Sequence, residues 1–261
     1  GPRINAGGRV GKCSHGANLL LNKSPKNAFK IASELDLYNK ERQLLEQDLM
    51  KKILKDTKDY IEDPVLILSG DNWHEGVIGI VASRLKEKFN KPTIIISIDR
   101  DIGKASARSI VGFDIGSVII SATQENILIK GGGHKMAGGF SIKVDNIEKF
   151  KNFVFRKFRR INEDLVSKKP LLLDSVISPA AVNLDFYNKV ALLSPFGSGN
   201  PEPKFVIEDL KTINGKIVGE KHIKSVLLGK DGSSIKSIAF NAVDNDFEAY
   251  LLKKNSKTFN I

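Results

Sequence analysis

Between Pro25 and Pro64 the chain carries neither glycine nor proline, the two residues that most readily interrupt a helix. Ser24-Pro25 opens the stretch with a capping hydroxyl and a first-turn proline whose missing N–H costs nothing there. Apolar residues recur at Ala28, Ile31, Ala32, Leu35, Tyr38, Leu45, Leu49, Ile53 and Tyr60, in steps built from three and four. The pattern predicts one helix of about 36 residues, roughly 54 Å long. A rod of that length is longer than a small domain is wide, so it is expected to connect two bodies. The alternative is two helices breaking near Asp36 or Asn39.

After this rod the period changes. Val65 to Leu68 reads as a buried strand, Ser69 to Glu75 as a polar turn, Gly76 to Leu85 as a helix with small residues for close packing, and Thr93 to Ser97 as a second strand. Strand, helix, strand is a βαβ unit, which implies a locally parallel sheet with a right-handed crossover. Ligands of such units sit at strand carboxyl ends, which places the Trp73-His74-Glu75 turn like a site, packing and capping being the alternative roles. Along Gly103 to Ser109, alternation puts Lys104, Ser106 and Arg108 on one strand face, two cations and a hydroxyl suited to a phosphate. A polar solvent-facing edge would look the same.

A helix is expected from Phe113 to Thr123, and then comes Lys130 to Phe140, with five glycines, His134 and two lysines. Glycines reach positive φ and let backbone N–H groups approach an anion, so Gly131, Gly132 and Gly133 are expected to cradle phosphate, with His134 as a directional donor. The alternative is a glycine-rich turn with a solvent-facing histidine. A strand from Phe140 to Val144 and a basic amphipathic helix from Ile147 to Arg160 follow.

The first eleven residues are rich in glycine and lack periodicity, so they read as a loop presenting Arg3, Asn5 and Arg9, whose guanidinium groups suit bidentate phosphate contact. His15 has no evident role. Ser167-Lys168-Lys169-Pro170 signals a linker. Beyond it the sequence predicts a strand at 171–176, a helix at 184–193, a Pro- and Gly-rich loop at 194–203, strands at 205–207, 211–217, 223–228 and 234–240, and a helix at 245–253. Strands this short and evenly spaced predict a small β-barrel. Residues 258–261 resemble a strand interrupted at its start.

With 41 Lys+Arg against 30 Asp+Glu the net charge is +11, which nominates a polyanionic partner. No apolar run reaches the length of a membrane span, and a single cysteine, Cys13, leaves no internal disulfide and no cysteine-rich zinc site. A cytoplasmic setting is expected. The chain lacks an initiating Met and opens inside a motif-like segment, and so reads as a piece of a longer protein.

In order along the chain stand G-P-R-I-N-A-G-G-R, W-H-E-G-V-I-G-I-V-A-S-R-L, S-A-R-S, the glycine motif and P-F-G-S-G-N-P-E-P. Together they resemble the RecJ group of the DHH/DHHA1 phosphoesterases, single-stranded-DNA-specific exonucleases. The resemblance covers almost the whole chain and implies an α/β plus β fold. Residues 1–22 would be the tail of a metal-binding DHH domain, 23–62 a long connecting helix, 63–166 a DHHA1 domain with a mixed sheet, and 167–261 an incomplete OB-fold barrel. It also implies 5′-to-3′ exonuclease activity on single-stranded DNA in recombination and repair. Manganese or magnesium would be bound by the upstream domain and by no residue of this chain.

On the same footing, Ser106 and Arg108 would contact the terminal phosphate, joined by Arg3 or Arg9. Gly132, Gly133 and His134 would face the scissile region, with Asn5, His74, Lys104 and Gly131 completing the phosphate-binding set. A single-stranded-DNA-binding protein and a helicase are the implied protein partners, with no membrane involved. Base stacking in the barrel would rest on few aromatics, Phe196, Phe205, Phe240 and Phe259. A DHHA1-type phosphodiesterase acting on short oligoribonucleotides or cyclic dinucleotides, and a noncatalytic nucleic-acid-binding module, are the alternatives.

Overall fold

The computed structural model describes residues 1–261 apart from 57–60, 161–170, 198 and 253–257. It divides into two compact units, Gly1–Lys169 and Pro170–Ile261. The linker expected at Ser167 to Pro170 lies outside the described residues.

The first unit opens with α1 (Pro2–Val10), α2 (His15–Leu21) and α3 (Pro25–Asp56). Over its 32 residues α3 is continuous, with no break at Asp36 or Asn39. Its buried positions are Leu35, Asn39, Arg42, Glu46, Leu49 and Ile53, alternating steps of four and three that mark one helical face. Half of that stripe is polar, which the apolar pattern alone could not show. Arg42 donates to Glu46 at 2.7 Å and to Asn39 at 3.1 Å, and Arg84 from the following helix also reaches Glu46.

The expected loop at residues 1–11 is instead the helix α1. Gly7 serves close contact: a methyl there would lie 2.8 Å from the Lys12 carbonyl oxygen and 3.2 Å from Leu35, whereas one on Gly8 would meet nothing within 4 Å. Packing against α3 overrides the weak helical propensity of the segment.

A five-stranded sheet follows. Its elements are β1 (Leu66–Asp71), α4 (Glu75–Phe89), β2 (Thr93–Asp99), β3 (Ile102–Arg108), α5 (Ile115–Gln124), β4 (Lys130–His134), β5 (Ala137–Lys143) and α6 (Ile147–Arg159). The strand order is β1-β2-β3-β5-β4, with β1 parallel to β2 and the remaining neighbours antiparallel, so the sheet is mixed. Alternate residues of β2 point to opposite layers. Ile94 and Ile96 join Phe140, Phe150 and residues of α5 and α6, while Ile95 joins Leu49, Ile53, Val77 and Val81 of α3 and α4.

The glycine motif is a β-hairpin rather than a cradle of positive-φ residues. Gly131 to Gly133, Gly138 and Gly139 all lie in β4 or β5, and positive-φ glycines among the described residues occur elsewhere, at Gly112, Gly199, Gly219 and Gly232. Pairing with β5 and packing by α5 hold the run extended.

In the second unit, β6 (Ser175–Val176), α7 (Leu184–Ala191), β7 (Phe205–Val206), β8 (Lys211–Val218), β9 (His222–Leu228), β10 (Ser234–Ala239) and α8 (Glu248–Leu251) surround a small core of Ile207, Leu210, Ile223, Leu227, Ala242 and Leu251. The OB-type strands β10-β9-β8 form an antiparallel sheet, and β6 and β7 form a separate parallel pair. The expected barrel does not close among the described residues. Closure needs every edge paired in a consistent stagger, whereas β8 and β10 end their sheet without joining β6 or β7. The residues near Ile261 pair by backbone with Leu210 and Ile207.

Candidate functional site

Residues directly opposed in an antiparallel pair point to the same side of the sheet. The register across β3, β5 and β4 therefore sets three rungs on one face: Arg108–Ala137–His134, Ser106–Gly139–Gly132 and Lys104–Ser141–Lys130. Lys104, Ser106, Arg108, Gly132 and His134, far apart in sequence, share this face. An open groove runs over it, bounded by Glu75 and Ile78 of α4 and floored by Gly132 and Gly139.

Gly131 borders the groove, yet the side-chain positions of Gly131 and Gly133 fall on the opposite face. A methyl on Gly131 would fall 2.7 Å from Ile119 of α5, and one on Gly133 would fall 2.6 Å from the Gly138 Cα. These two glycines answer to packing. A methyl on Gly132 would meet nothing within 4 Å, so the fold leaves that position free and only the groove distinguishes glycine there.

The α4 helix crosses the Arg108 side of this face on two glycines one turn apart. At Gly79 an added methyl would sit 3.0 Å from Ser106 Oγ and 3.1 Å from Arg108 Nη2, and at Gly76 it would collide with the backbone of Arg9. Arg9 Nη1 donates to the Gly76 carbonyl at 3.1 Å. Arg108 Nη1 donates to Ser106 Oγ at 3.1 Å and to the Ala107 carbonyl at 2.8 Å. Burial pulls the Arg108 guanidinium below its usual range, and the nearby charge of Arg9 adds to the effect. A half-buried arginine whose charged neighbour is another arginine, with a hydroxyl beside it, is an arrangement that an anion stabilises.

The remaining predicted residues separate by geometry. Arg3 Nε donates to Asp36 at 2.6 Å and is thereby tied to α3, so Arg9 is the α1 arginine brought to Arg108. Asn5 lines a different pocket with Arg9 and Arg42. His74 is the N-cap of α4, its Nδ1 accepting the Gly76 N–H at 3.1 Å. His134 Nδ1 accepts the Met136 N–H at 3.3 Å. In both rings the accepting nitrogen carries no proton, which leaves Nε2 as the N–H donor of the neutral ring. Lys104 Nζ pairs with Glu75 at 2.8 Å, and that hydrogen bond and charge raise its pKa.

Lys130 and Ser141 also border the groove without having been singled out as site residues from sequence, and Glu75, from the Trp73-His74-Glu75 turn that the sequence placed like a site, borders it as well. The signal for Lys130 was present, since it alternates with Gly132 and His134. Among the described residues no three His, Cys, Asp or Glu side chains come together as a metal site, so the donors present do not fit a resident ion.

The first unit thus carries a cationic face on a mixed sheet, and an OB-type unit follows it along the chain. The DHHA1 domain model matches residues 62–160 and the RecJ OB domain model matches residues 173–260. The chain thus carries a DHHA1 domain and, after it, a RecJ OB domain. It is 32% identical over 256 residues to the single-stranded-DNA-specific exonuclease RecJ of Haemophilus influenzae, covering 92% of this chain and 44% of that protein. To the Bacillus subtilis protein of the same name it is 27% identical, covering 92% of this chain and 31% of the relative. The chain thus spans less than half the length of these curated relatives. Among solved structures, RecJ from Thermus thermophilus in complex with Mn2+ superposes with a TM-score of 0.74 at 28% identity, covering 93% of this chain and 40% of that one. An exonuclease RecJ bound to manganese gives 0.54 at 32% identity, over 61% of this chain and 39% of the other.

Proposed function

We propose that this chain forms the phosphate-gripping side of a metal-dependent exonuclease that removes nucleotides from the 5′ end of single-stranded DNA in recombination and repair. The observation that carries this reading is the convergence of Arg9 and Arg108 beside Ser106, with His134 on the same sheet face. In this reading Arg108, Ser106 and Arg9 hold the terminal phosphate, and His134 offers its Nε2–H to a phosphate oxygen. Oriented donors of this type act by matching charge that develops on the phosphate, and losing one typically costs about 10²- to 10³-fold in rate. The open floor at Gly132 admits the strand.

Relatives named RecJ, in structures named for bound Mn2+ or Mg2+, support the assignment. Such ions activate water and stabilise phosphate charge. They would be held by an upstream DHH domain, with residues 1–22 as its tail, 23–62 as the connecting helix, 63–166 as the DHHA1 domain and 167–261 as the OB-fold. A single-stranded-DNA-binding protein and a helicase would be the working partners, in the cytoplasm.

The test is a binding and cleavage assay on the 261-residue chain. It should bind 5′-phosphorylated single-stranded DNA in a salt-sensitive way and leave it intact with manganese present. Manganese-dependent cleavage by this chain alone would overturn the division of labour, and salt-insensitive or absent binding would overturn the phosphate grip.

A further inference from the structure

We propose that Lys130, Ser141 and Lys104 form a second phosphate subsite at the far end of the groove, so that the face reads two phosphates separated by a nucleoside. The proposal rests on the Arg108–Ser106 grip described above and extends it. Register places the three residues on one rung, with Ser141 between the two lysines. All three line the groove, and Lys130 is exposed. Two ammonium groups flanking a hydroxyl supply donors and no acceptor charge of their own, which is the chemistry a phosphodiester oxygen requires.

Distance makes this subsite separate from the first. From β3 across β5 to β4 is two strand spacings, roughly 10 Å, and one rung along the strands adds roughly 7 Å. A phosphate gripped between Arg108 and Ser106, on the side of β3 covered by α4, therefore leaves Lys130 without a partner. The rung between the two ends is Ser106–Gly139–Gly132, whose two glycines carry no side chain. A methyl at Gly132 would enter the open groove unopposed, so the floor between the two cationic ends is kept clear for a sugar or base.

Glu75 belongs to the same device. It holds Lys104 Nζ at 2.8 Å from the α4 side of the groove. A phosphate arriving at Lys130 and Ser141 would compete with this carboxylate for Lys104, and Lys104 would change partner as the second phosphate seats. The ligand class is an oligonucleotide with at least two phosphates. A mononucleotide reaches the first site alone.

The test compares thymidine 5′-monophosphate with 5′-phosphorylated dithymidine, by calorimetric titration into the 261-residue chain and its variants. Lys130→Ala with Ser141→Ala should weaken the dinucleotide roughly tenfold or more, the usual consequence of losing a hydrogen bond to a charged group. It should lower the salt slope by about one and leave the mononucleotide and the thermal midpoint unchanged. Equal weakening of both ligands, no weakening of either, or no measurable dinucleotide binding to the unaltered chain would each overturn the proposal. Arg108→Ala separates the two readings: if it abolishes mononucleotide binding while Lys130→Ala with Ser141→Ala leaves the dinucleotide untouched, the first grip stands and the second subsite falls. If Arg108→Ala affects neither ligand, the first grip falls and this proposal falls with it.

Discussion

Gly132 and Gly133 are neighbours in β4 but face opposite sides of the sheet: a methyl on the first meets nothing within 4 Å, and on the second it lies 2.6 Å from the Gly138 Cα. Adjacent glycines of one motif therefore answer to different demands. Gly133→Ala is expected to lose about 1–3 kcal/mol of stability by overpacking. Gly132→Ala should stay within about 0.5 kcal/mol of the unaltered chain while weakening single-stranded DNA, because its methyl stands in the groove. Urea unfolding alongside a DNA titration checks the pair. A destabilised Gly132→Ala chain would return that glycine to packing.

The two α1 arginines should likewise part. Arg9 is brought to Arg108, whereas Arg3 is 72% exposed and paired with Asp36. Arg108→Ala and Arg9→Ala are each expected to weaken 5′-phosphorylated single-stranded DNA by about 10- to 100-fold, the range for hydrogen bonds to a charged group. Arg3→Ala should leave affinity within about threefold, as exposed pairs contribute little. Arg108→Lys should restore binding only partly, because an ammonium cannot reproduce the planar fork that reaches both Ser106 and the ligand. Fluorescence anisotropy at several salt concentrations reads all four.

Acid should loosen the end of the site that holds His134. Asp114 caps α5 by accepting the Ser117 N–H at 3.0 Å, and that backbone bond is the main cause of its lowered pKa. The next residue, Ile115, donates its N–H to Lys135 in the hairpin turn at 3.3 Å. A carboxylate depressed by folding contributes stability above its unfolded pKa, about 3.9. That contribution fades as pH falls from there through the lower folded value. Asp36, held down chiefly by Arg3 and then by Lys40, adds in the same direction. Thermal midpoints should therefore drop on acidification below about pH 4. Asp114→Asn, which still caps but does not titrate there, should flatten the curve. An unchanged pH profile in that variant would remove Asp114 from the effect.

Some of this was legible in the sequence and some was hidden by particular residues. Alternation along Lys104, Ser106 and Arg108 survives because period two is a property of any strand, and Ser24-Pro25 marks the start of α3 by local chemistry alone. The helix at Pro2–Val10 was hidden because its glycines argue for a loop, while the use of Gly7 is close approach to Lys12 and Leu35. The same ambiguity turned a hairpin into an expected phosphate cradle. Ser141 was hidden because its meaning lies in the register between β4, β5 and β3, and pairing partners are tertiary information, whereas Lys130 alternates with Gly132 and His134 within one strand. The OB-type strands were legible from their spacing, while closure was not, because strand spacing says nothing about whether edges meet.

Glu46 carries the last prediction, and it concerns the scaffold beneath the grip. Its side chain is 1% exposed, with Arg42 paired at 2.7 Å and 11% exposed, and Arg84 approaching from α4. The network sits midway along α3, after the residues that meet α1 (Leu35 and Asp36) and before those in the α4 layer (Leu49 and Ile53). Glu46→Ala leaves Arg42 buried without its counter-charge, which should cost about 3–5 kcal/mol. Replacing Arg42 by Met together with Glu46 by Leu removes both charges, and most of that loss should return because a buried pair offsets its own desolvation only in part. Arg84, largely in solvent, loses little in either case. If the network serves stability alone, the double variant regains both its urea midpoint and its affinity for single-stranded DNA. If it also fixes α1 over α4, stability returns while affinity stays low, because Arg9 no longer meets Arg108. Measuring both quantities on the two variants decides between these outcomes, and an unchanged midpoint in Glu46→Ala would refute the buried-pair account.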